Sequence, residues 1–205
     1  MNRAIFLDKD GTLIEDVPYN VDPAQIKLMP GAIEGLAQWY RAGYKLVVIS
    51  NQSGIARGIF PEEALTPVRL RLERLLAESG IALAGFYYCP HLPDGKIPAY
   101  AIDCGCRKPA PGLLFQAALD LALDLGSSWF IGDILNDVEA GNRAGCGTIL
   151  LDNGHETEWL AGEFRQPFYV ARDLREAASL TALDYRRKTD CTGPLKRAGL
   201  IERES

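Results

Sequence analysis

The sequence predicts a doubly wound α/β sandwich with a mostly parallel sheet. Two observations lead there. Short apolar runs without polar alternation recur along the chain, and each is followed by a segment of helical periodicity. Each run also ends in a cluster of polar or charged residues, which is where open α/β sheets bind their ligands.

The elements follow in order. AIFL (4–7) is the first strand and ends at Asp8; an amphipathic helix is expected over 31–42. KLVVIS (45–50) runs into Asn51, and the next helix, 67–79, starts at Thr66-Pro67, since proline suits a first helical turn. FYY (86–88) runs into Cys89, and Ala110-Pro111 opens a helix over 111–125. Its stripe of Leu113, Leu114, Ala117, Ala118 and Leu121 is read as core. SWFIGD (128–133) precedes a helix over 136–144; TILLD (148–152) and PFYVA (167–171) are further strands. Asp173 is the expected N-cap of a last helix, 173–184. The segment 185–205 is polar and aperiodic, so a flexible tail is expected after a single domain spanning 1–184. No room remains for a large cap domain.

Composition narrows the partners. The chain has 205 residues, 47% of them hydrophobic and 24% charged, with a net charge of −5. That balance argues against nucleic-acid or anionic-membrane binding, while leaving open a small anionic substrate recognised by local charge. The N-terminus has no apolar core of signal-peptide length, and the apolar runs are too short to span a bilayer. A soluble, cytoplasmic monomer is expected. Five cysteines, an odd number, do not look like a secreted disulfide framework.

The chemistry-bearing residues gather at the strand ends. Asp8 and Asp10 flank Lys9 in DKDGTL; Asp133 ends the strand WFIGD, with Asp137 four residues on. In a parallel sheet these ends can be neighbours, and converging carboxylates call for a hard divalent cation. An open site with few protein ligands suits Mg²⁺. Ser50, Asn51, Gln52, Ser53 and Gly54 offer hydroxyl, amide and backbone donors for a phosphoryl group, and Lys108 adds a point charge. Nucleophilic carboxylate, metal and lysine together match phosphoryl transfer. Any one of these aspartates alone is more often a turn residue or helix cap.

The stretch CPHLPDGKIPAYAIDCGCRKP (89–109) pairs Cys89 with His91 and Cys104 with Cys106, twelve residues apart. Three thiolates and an imidazole match the closed tetrahedral pattern of a structural Zn²⁺ site, whereas a catalytic zinc would keep an open position with fewer thiolates. A Cys104–Cys106 disulfide would close a small strained ring and leave Cys89 and His91 unexplained. Cys146 reads as a buried small residue, while Cys191 and His155 carry no partner signature.

DKDGTL, VVISNQSG, RKPAPG and GDILND, in this order, resemble the four motifs of the haloacid dehalogenase superfamily over roughly residues 3–152. The resemblance implies a Mg²⁺-dependent phosphatase in which Asp8 is the nucleophile and Asp10 the general acid and then base. It places Mg²⁺ on Asp8, Asp10 (through its carbonyl) and Asp133. Ser50 and Asn51 would hold the phosphoryl oxygens, Lys108 would neutralise charge, and Asp137 would support the metal's waters or orient Lys108. Aspartate at position 10 favours ester hydrolysis, since the dehalogenases lack it and the ion-pumping ATPases carry threonine there.

The Cys/His loop is similar to that of a zinc-loop subgroup acting on heptose bisphosphate or histidinol phosphate. Its twelve-residue His-to-Cys spacing resembles the heptose branch. The implied substrate is a small phosphorylated sugar, contacted by Tyr19, Gln52, Ser53 and Arg107 besides the phosphate site. Loops 14–22, 53–60 and the zinc loop would wall the pocket. One departure stands out: family members commonly carry lysine after the Gly-Asp of the fourth motif, and this chain has Ile134. Outside enzymes, a phosphoacceptor signalling module uses similar groups, but Asp10 is placed to destroy the acyl phosphate such a module must keep.

Overall fold

A computed structural model describes residues 2–157 and 159–190, the last six as helical backbone alone. Strands β1 (Ala4–Leu7), β2 (Lys45–Asn51), β3 (Leu83–Cys89), β4 (Trp129–Gly132), β5 (Gly147–Leu151) and β6 (Tyr169–Ala171) form one sheet. The order is β3-β2-β1-β4-β5-β6, and every neighbouring pair is parallel. Helices α1 (Ala32–Arg41), α2 (Leu65–Ala77), α3 (Gly112–Leu121), α4 (Leu135–Ala144) and α5 (Leu174–Asp190) cover it.

Alternate strand residues feed two cores. Ile5, Leu7, Leu46, Val48, Ile131 and Ile149 pack with α1, α2 and α5 on one face. Phe6, Val47, Ile49 and Phe130 pack with α3 and α4 on the other. Both faces are therefore covered, so the strands read as unbroken apolar runs in sequence. Each fully buried Leu or Ile contributes about 1.5–3 kcal/mol relative to exposure.

Several boundaries differ from the sequence expectation, each for a tertiary reason. β3 begins at Leu83 because Leu83 pairs with Leu46 and Gly85 with Val47. Pairing, not local pattern, extends this half-buried edge strand. α2 begins at Leu65, so Pro67 lies inside its first turn, where a missing N–H is harmless. α5 starts as expected, with Asp173 Oδ1 accepting from the Glu176 N–H at 2.8 Å. It then runs to Asp190 and not to 184. Leu174, Ala177, Ala178 and Thr181 anchor its first turns in the core, and an anchored helix propagates cheaply. The flexible tail expected over 185–205 is thus helical backbone to Asp190; 191–205, with Cys191, lies outside the described residues.

Strand order sets the site. β1 leads to β2 and β3 on one side, while β4 lies against its other edge. The crevice between β1 and β4 is the topological switch point, open at the carboxyl ends. Leu7 pairs with Ile131, and the Asp8 N–H donates to the Ile131 carbonyl at 3.0 Å. Asp8 and Asp133, 125 positions apart in sequence, therefore leave adjacent strands side by side.

Candidate active site

After β1 the chain folds into a tight turn, with the Leu13 and Ile14 N–H groups both donating to the Lys9 carbonyl at 3.0 Å. Gly11 makes the turn possible at φ +79°. A Cβ there would also lie 2.1 Å from Asp133 Oδ2, so glycine lets the two motifs meet.

Asp8, Asp133 and Asp137 are all buried, and each places a carboxylate oxygen within 4.8 Å of the others. Lys108 reaches into this group. Its Nζ donates to Asp8 Oδ1 and to the Ile49 carbonyl (3.2 Å), and stands 2.6 Å from Asp137 Oδ1. The Asp137 contact is a close ion pair between two buried groups. Asp137 thus faces the Lys108 ammonium directly. Its second oxygen accepts from the Ile134 N–H at the start of α4 (3.3 Å).

Three buried carboxylates thus face one ammonium, and the imbalance shows in their ionisation. Burial, reinforced by Asp137 and Asp10, pushes Asp8 up to about 7 despite Lys108. Burial and the Asp8 charge push Asp133 up to about 6 against the pull of His155 and Thr12. Burial also raises Asp137. Desolvation alone would lower Lys108, but Asp137 and Asp8 outweigh it and hold the lysine above its ordinary value. A divalent cation would relieve this excess negative charge, and an all-oxygen donor set suits Mg²⁺.

A pH dependence follows. Folded Asp8 and Asp133 hold protons up to about 7 and about 6, whereas the unfolded groups release them near 3.8. Between those limits the folded state binds more protons, so stability falls as pH rises. Without added Mg²⁺ the protein should melt at a higher temperature at pH 5.5 than at pH 7.5, and Mg²⁺ should narrow the gap. A melting temperature that climbs steadily from pH 5.5 to 7.5 without Mg²⁺ would contradict the cluster's charge state.

The remaining predicted residues divide. Ser50 is fully buried, its Oγ accepting from Gln52 Nε2 at 2.7 Å. Gln52 Nε2 also lies 3.2 Å from Asp10 Oδ2, while Lys9 Nζ holds Asp10 Oδ1 at 2.6 Å. Asn51 is engaged at both ends by Lys108: its Oδ1 accepts from the Lys108 N–H (3.0 Å), and its Nδ2 donates to the Lys108 carbonyl (3.1 Å). Its side chain therefore fixes the lysine's backbone, a task that its place in the SNQSG cluster does not reveal.

Next to Asp10 opens a cavity of about 240 Å³ lined by Lys9, Asp10, Asp16, Pro18, Tyr19, Asn20 and residues 51–54. Loops 14–22 and 53–60 both contribute, as expected. Tyr19, at its rim, is half exposed and held at φ +56°. The loop between Cys89 and Cys106 supplies none of this lining. It stands behind the wall: the Ile97 N–H donates to the Ala56 carbonyl (2.9 Å), and Tyr100 donates to Glu62 Oε2 (2.7 Å). Glu62 also accepts from Tyr88 on β3 (2.9 Å). Arg107 turns back onto the loop, with Nη1 donating to the His91 carbonyl at 3.3 Å.

Cys89, His91, Cys104 and Cys106 converge as a second cluster. Their sulfurs lie 3.1–3.5 Å apart, and His91 Nδ1 is 3.3 Å from Cys106 Sγ and 3.7 Å from Cys89 Sγ. These separations exceed a disulfide bond of about 2.05 Å and approach the ligand spacing around a tetrahedral ion. The thiols are free, and burial pushes that of Cys89 well up, so metal uptake here expels protons. Cys146 is buried, as expected.

Sequence reading missed Lys9 and His155. Lys9 is buried, although it sits between Asp8 and Asp10 in sequence. His155, expected to be an ordinary histidine, places Nδ1 2.6 Å from Asp133 Oδ2. The available signal was its position just past β5, a strand that borders β4.

The chain's likenesses agree with this architecture. A family model described as HAD-hydrolase-like matches residues 105–177. The D-glycero-beta-D-manno-heptose-1,7-bisphosphate 7-phosphatase of Photorhabdus laumondii is 43% identical over 148 residues, 72% of this chain and 79% of that one. A HAD-like phosphatase structure from Mesorhizobium loti superposes with a TM-score of 0.76 at 39% identity, covering 88% of this chain and 85% of that one. The D,D-heptose 1,7-bisphosphate phosphatase of B. bronchiseptica, solved with magnesium and phosphate, gives 0.71 at 30% identity, covering 89% and 99%. Among the described residues no helix is long and apolar enough to cross a membrane.

Proposed function

Given that this chain belongs to the haloacid dehalogenase-type phosphatases and is a phosphoric monoester hydrolase, we propose that it converts D-glycero-D-manno-heptose 1,7-bisphosphate to the 1-phosphate in a Mg²⁺-dependent reaction. The observation that carries the chemistry is the buried group of Asp8, Asp133 and Asp137 around Lys108 at the switch point. The substrate rests on the relatives' names and on the twelve-residue loop spacing. Membership in a family of hydrolases sets aside the phosphoacceptor alternative.

In this reading Asp8, Asp133 and the Asp10 carbonyl hold Mg²⁺, which supplies charge neutralisation at the phosphoryl oxygens. Asp8 attacks phosphorus and forms an aspartyl-phosphate as the P–O bond to the sugar breaks. Asp10 gives its proton to the leaving oxygen, then takes one from the water that attacks the acyl phosphate. Lys108 favours the ionised form of Asp8 against its burial and shares the phosphoryl charge. The Ser50 hydroxyl and the backbone at Asn51 orient the oxygens. Tyr19, Gln52 and Ser53 contact the sugar in the cavity; Arg107, which has five N–H donors, retains several for the distant phosphate. Cys89, His91, Cys104 and Cys106 hold a structural Zn²⁺ that keeps the loop behind residues 53–60.

Ile134 favours a second reading. It is half-buried at the start of α4, where the family resemblance implies a lysine, and it brings no charge to a second phosphate. That weakens the selection of a bisphosphate over a small monoester such as histidinol phosphate. A substrate panel decides: phosphate release from the heptose bisphosphate should exceed that from histidinol phosphate in kcat/KM by about 100-fold, roughly the value of two charge-assisted contacts. The reverse ranking would overturn the substrate.

A further inference from the structure

We propose that His155 is a positioning residue for the metal-binding carboxylate of Asp133. It would be the working end of a short strap, residues 153–156, that follows β5. The inference rests on the Mg²⁺-dependent reading above and adds to it a residue outside the four motifs.

The strap is tied at three points. Asn153 Nδ2 donates to the Gly11 carbonyl at 2.7 Å, joining it to the turn after β1. The Glu156 carboxylate accepts from the Leu135 N–H at 2.6 Å, joining it to the first turn of α4. Between these ties, Asn153 Oδ1 accepts from the His155 N–H at 3.3 Å, and the imidazole Nδ1 reaches Asp133 Oδ2 at 2.6 Å. An ionised carboxylate can only accept, so Nδ1 carries the proton in this contact. The pair lies directly over Gly11, where a Cβ would fall 2.4 Å from Nδ1 and 2.1 Å from Oδ2.

Asp133 is thus held from two sides, since Thr12 Oγ1 donates to its Oδ1 at 3.1 Å. A carboxylate has about four lone-pair sites. Two donors fix its plane and rotamer while leaving lone pairs on each oxygen for a cation. Partners that orient a ligating carboxylate are typically worth about 10–100-fold in metal affinity. Asp8 and Asp137 are steadied by Lys108; Asp133 has no contact with that lysine among those described, and His155 and Thr12 do the equivalent work.

The test is a Mg²⁺ titration of the full chain, read by thermal shift, for wild type, His155→Ala and His155→Asn. His155→Ala should raise the Mg²⁺ concentration at half-effect by about 10–100-fold. His155→Asn, whose amide nitrogen can donate from near the Nδ1 position, should recover most of that loss. A merely structural role would lower melting at every Mg²⁺ concentration without moving the half-effect point. If His155→Ala responds to Mg²⁺ at the wild-type concentration, the inference is overturned; a response at lower concentration would overturn it too, by showing that the imidazole competes with the cation. A wild-type protein that shows no Mg²⁺ response would instead defeat the metal-dependent reading itself.

Discussion

Asp8→Asn should lower phosphate release from every ester by about 10⁴-fold or more, and added Mg²⁺ should not restore it. The neutral amide has no oxygen able to form the acyl phosphate. The same substitution should leave the fold intact. Burial already disfavours the charged form of Asp8, raising it to about 7, so an uncharged isostere relieves desolvation while Lys108 keeps Asp137 as its partner. Loss of turnover without loss of melting temperature in Mg²⁺-free buffer is therefore the expected pair of results. Turnover within about tenfold of wild type, measured as phosphate released under saturating substrate, would defeat the assignment of Asp8 as nucleophile.

Cys89→Ser should release the zinc and unfasten the loop from Pro90 to Cys106. Metal analysis of the wild type should find about one zinc per chain, and of the variant much less. In small peptides a structural zinc contributes about 10–16 kcal/mol of apparent folding energy. Here the six-stranded sheet has its own core, so the loss should be local. Circular dichroism should retain the α/β signature while proteolysis cuts the loop. Turnover should fall about 10–100-fold, by analogy with the loss of an orienting shell. The cause lies in two contacts at one remove from substrate, the Ile97 N–H on the Ala56 carbonyl and the Tyr100–Glu62 hydrogen bond, together with Lys108, only two residues beyond Cys106. A zinc-free chain with wild-type turnover and an uncut loop would refute the structural role.

Particular residues show what could be read in advance. Asp8, Asp10 and Asp133 stood out in the sequence because each follows closely on a strand within a short motif, and Lys108 because RKPAPG closes the loop that leaves β3. The convergence of Cys89, His91, Cys104 and Cys106 was legible because three thiols and an imidazole, paired at the two ends of one short loop, form a soft tetrahedral donor set. His155 was not, since one histidine in a polar loop carries no pattern; only the adjacency of β5 to β4 brings it to Asp133. Lys9 was overlooked for a related reason: a lysine between two aspartates reads as solvent-facing, yet the turn at Gly11 buries it against Asp10. The loop from Cys89 to Cys106 was expected to line the pocket and instead braces the segment that does.

The strand and helix grammar, the carboxylate and lysine set, the cysteine–histidine cluster and the family they resemble are all legible along the chain. These properties depend on local periodicity, residue chemistry and spacing, all of which are written along one dimension. Tertiary structure alone decided which strand ends share a crevice, that Asn51 holds Lys108 by its backbone, and that Asp133 answers to a histidine beyond β5. Those outcomes depend on strand order and on the desolvation of charges brought together, and neither is a property of any short segment.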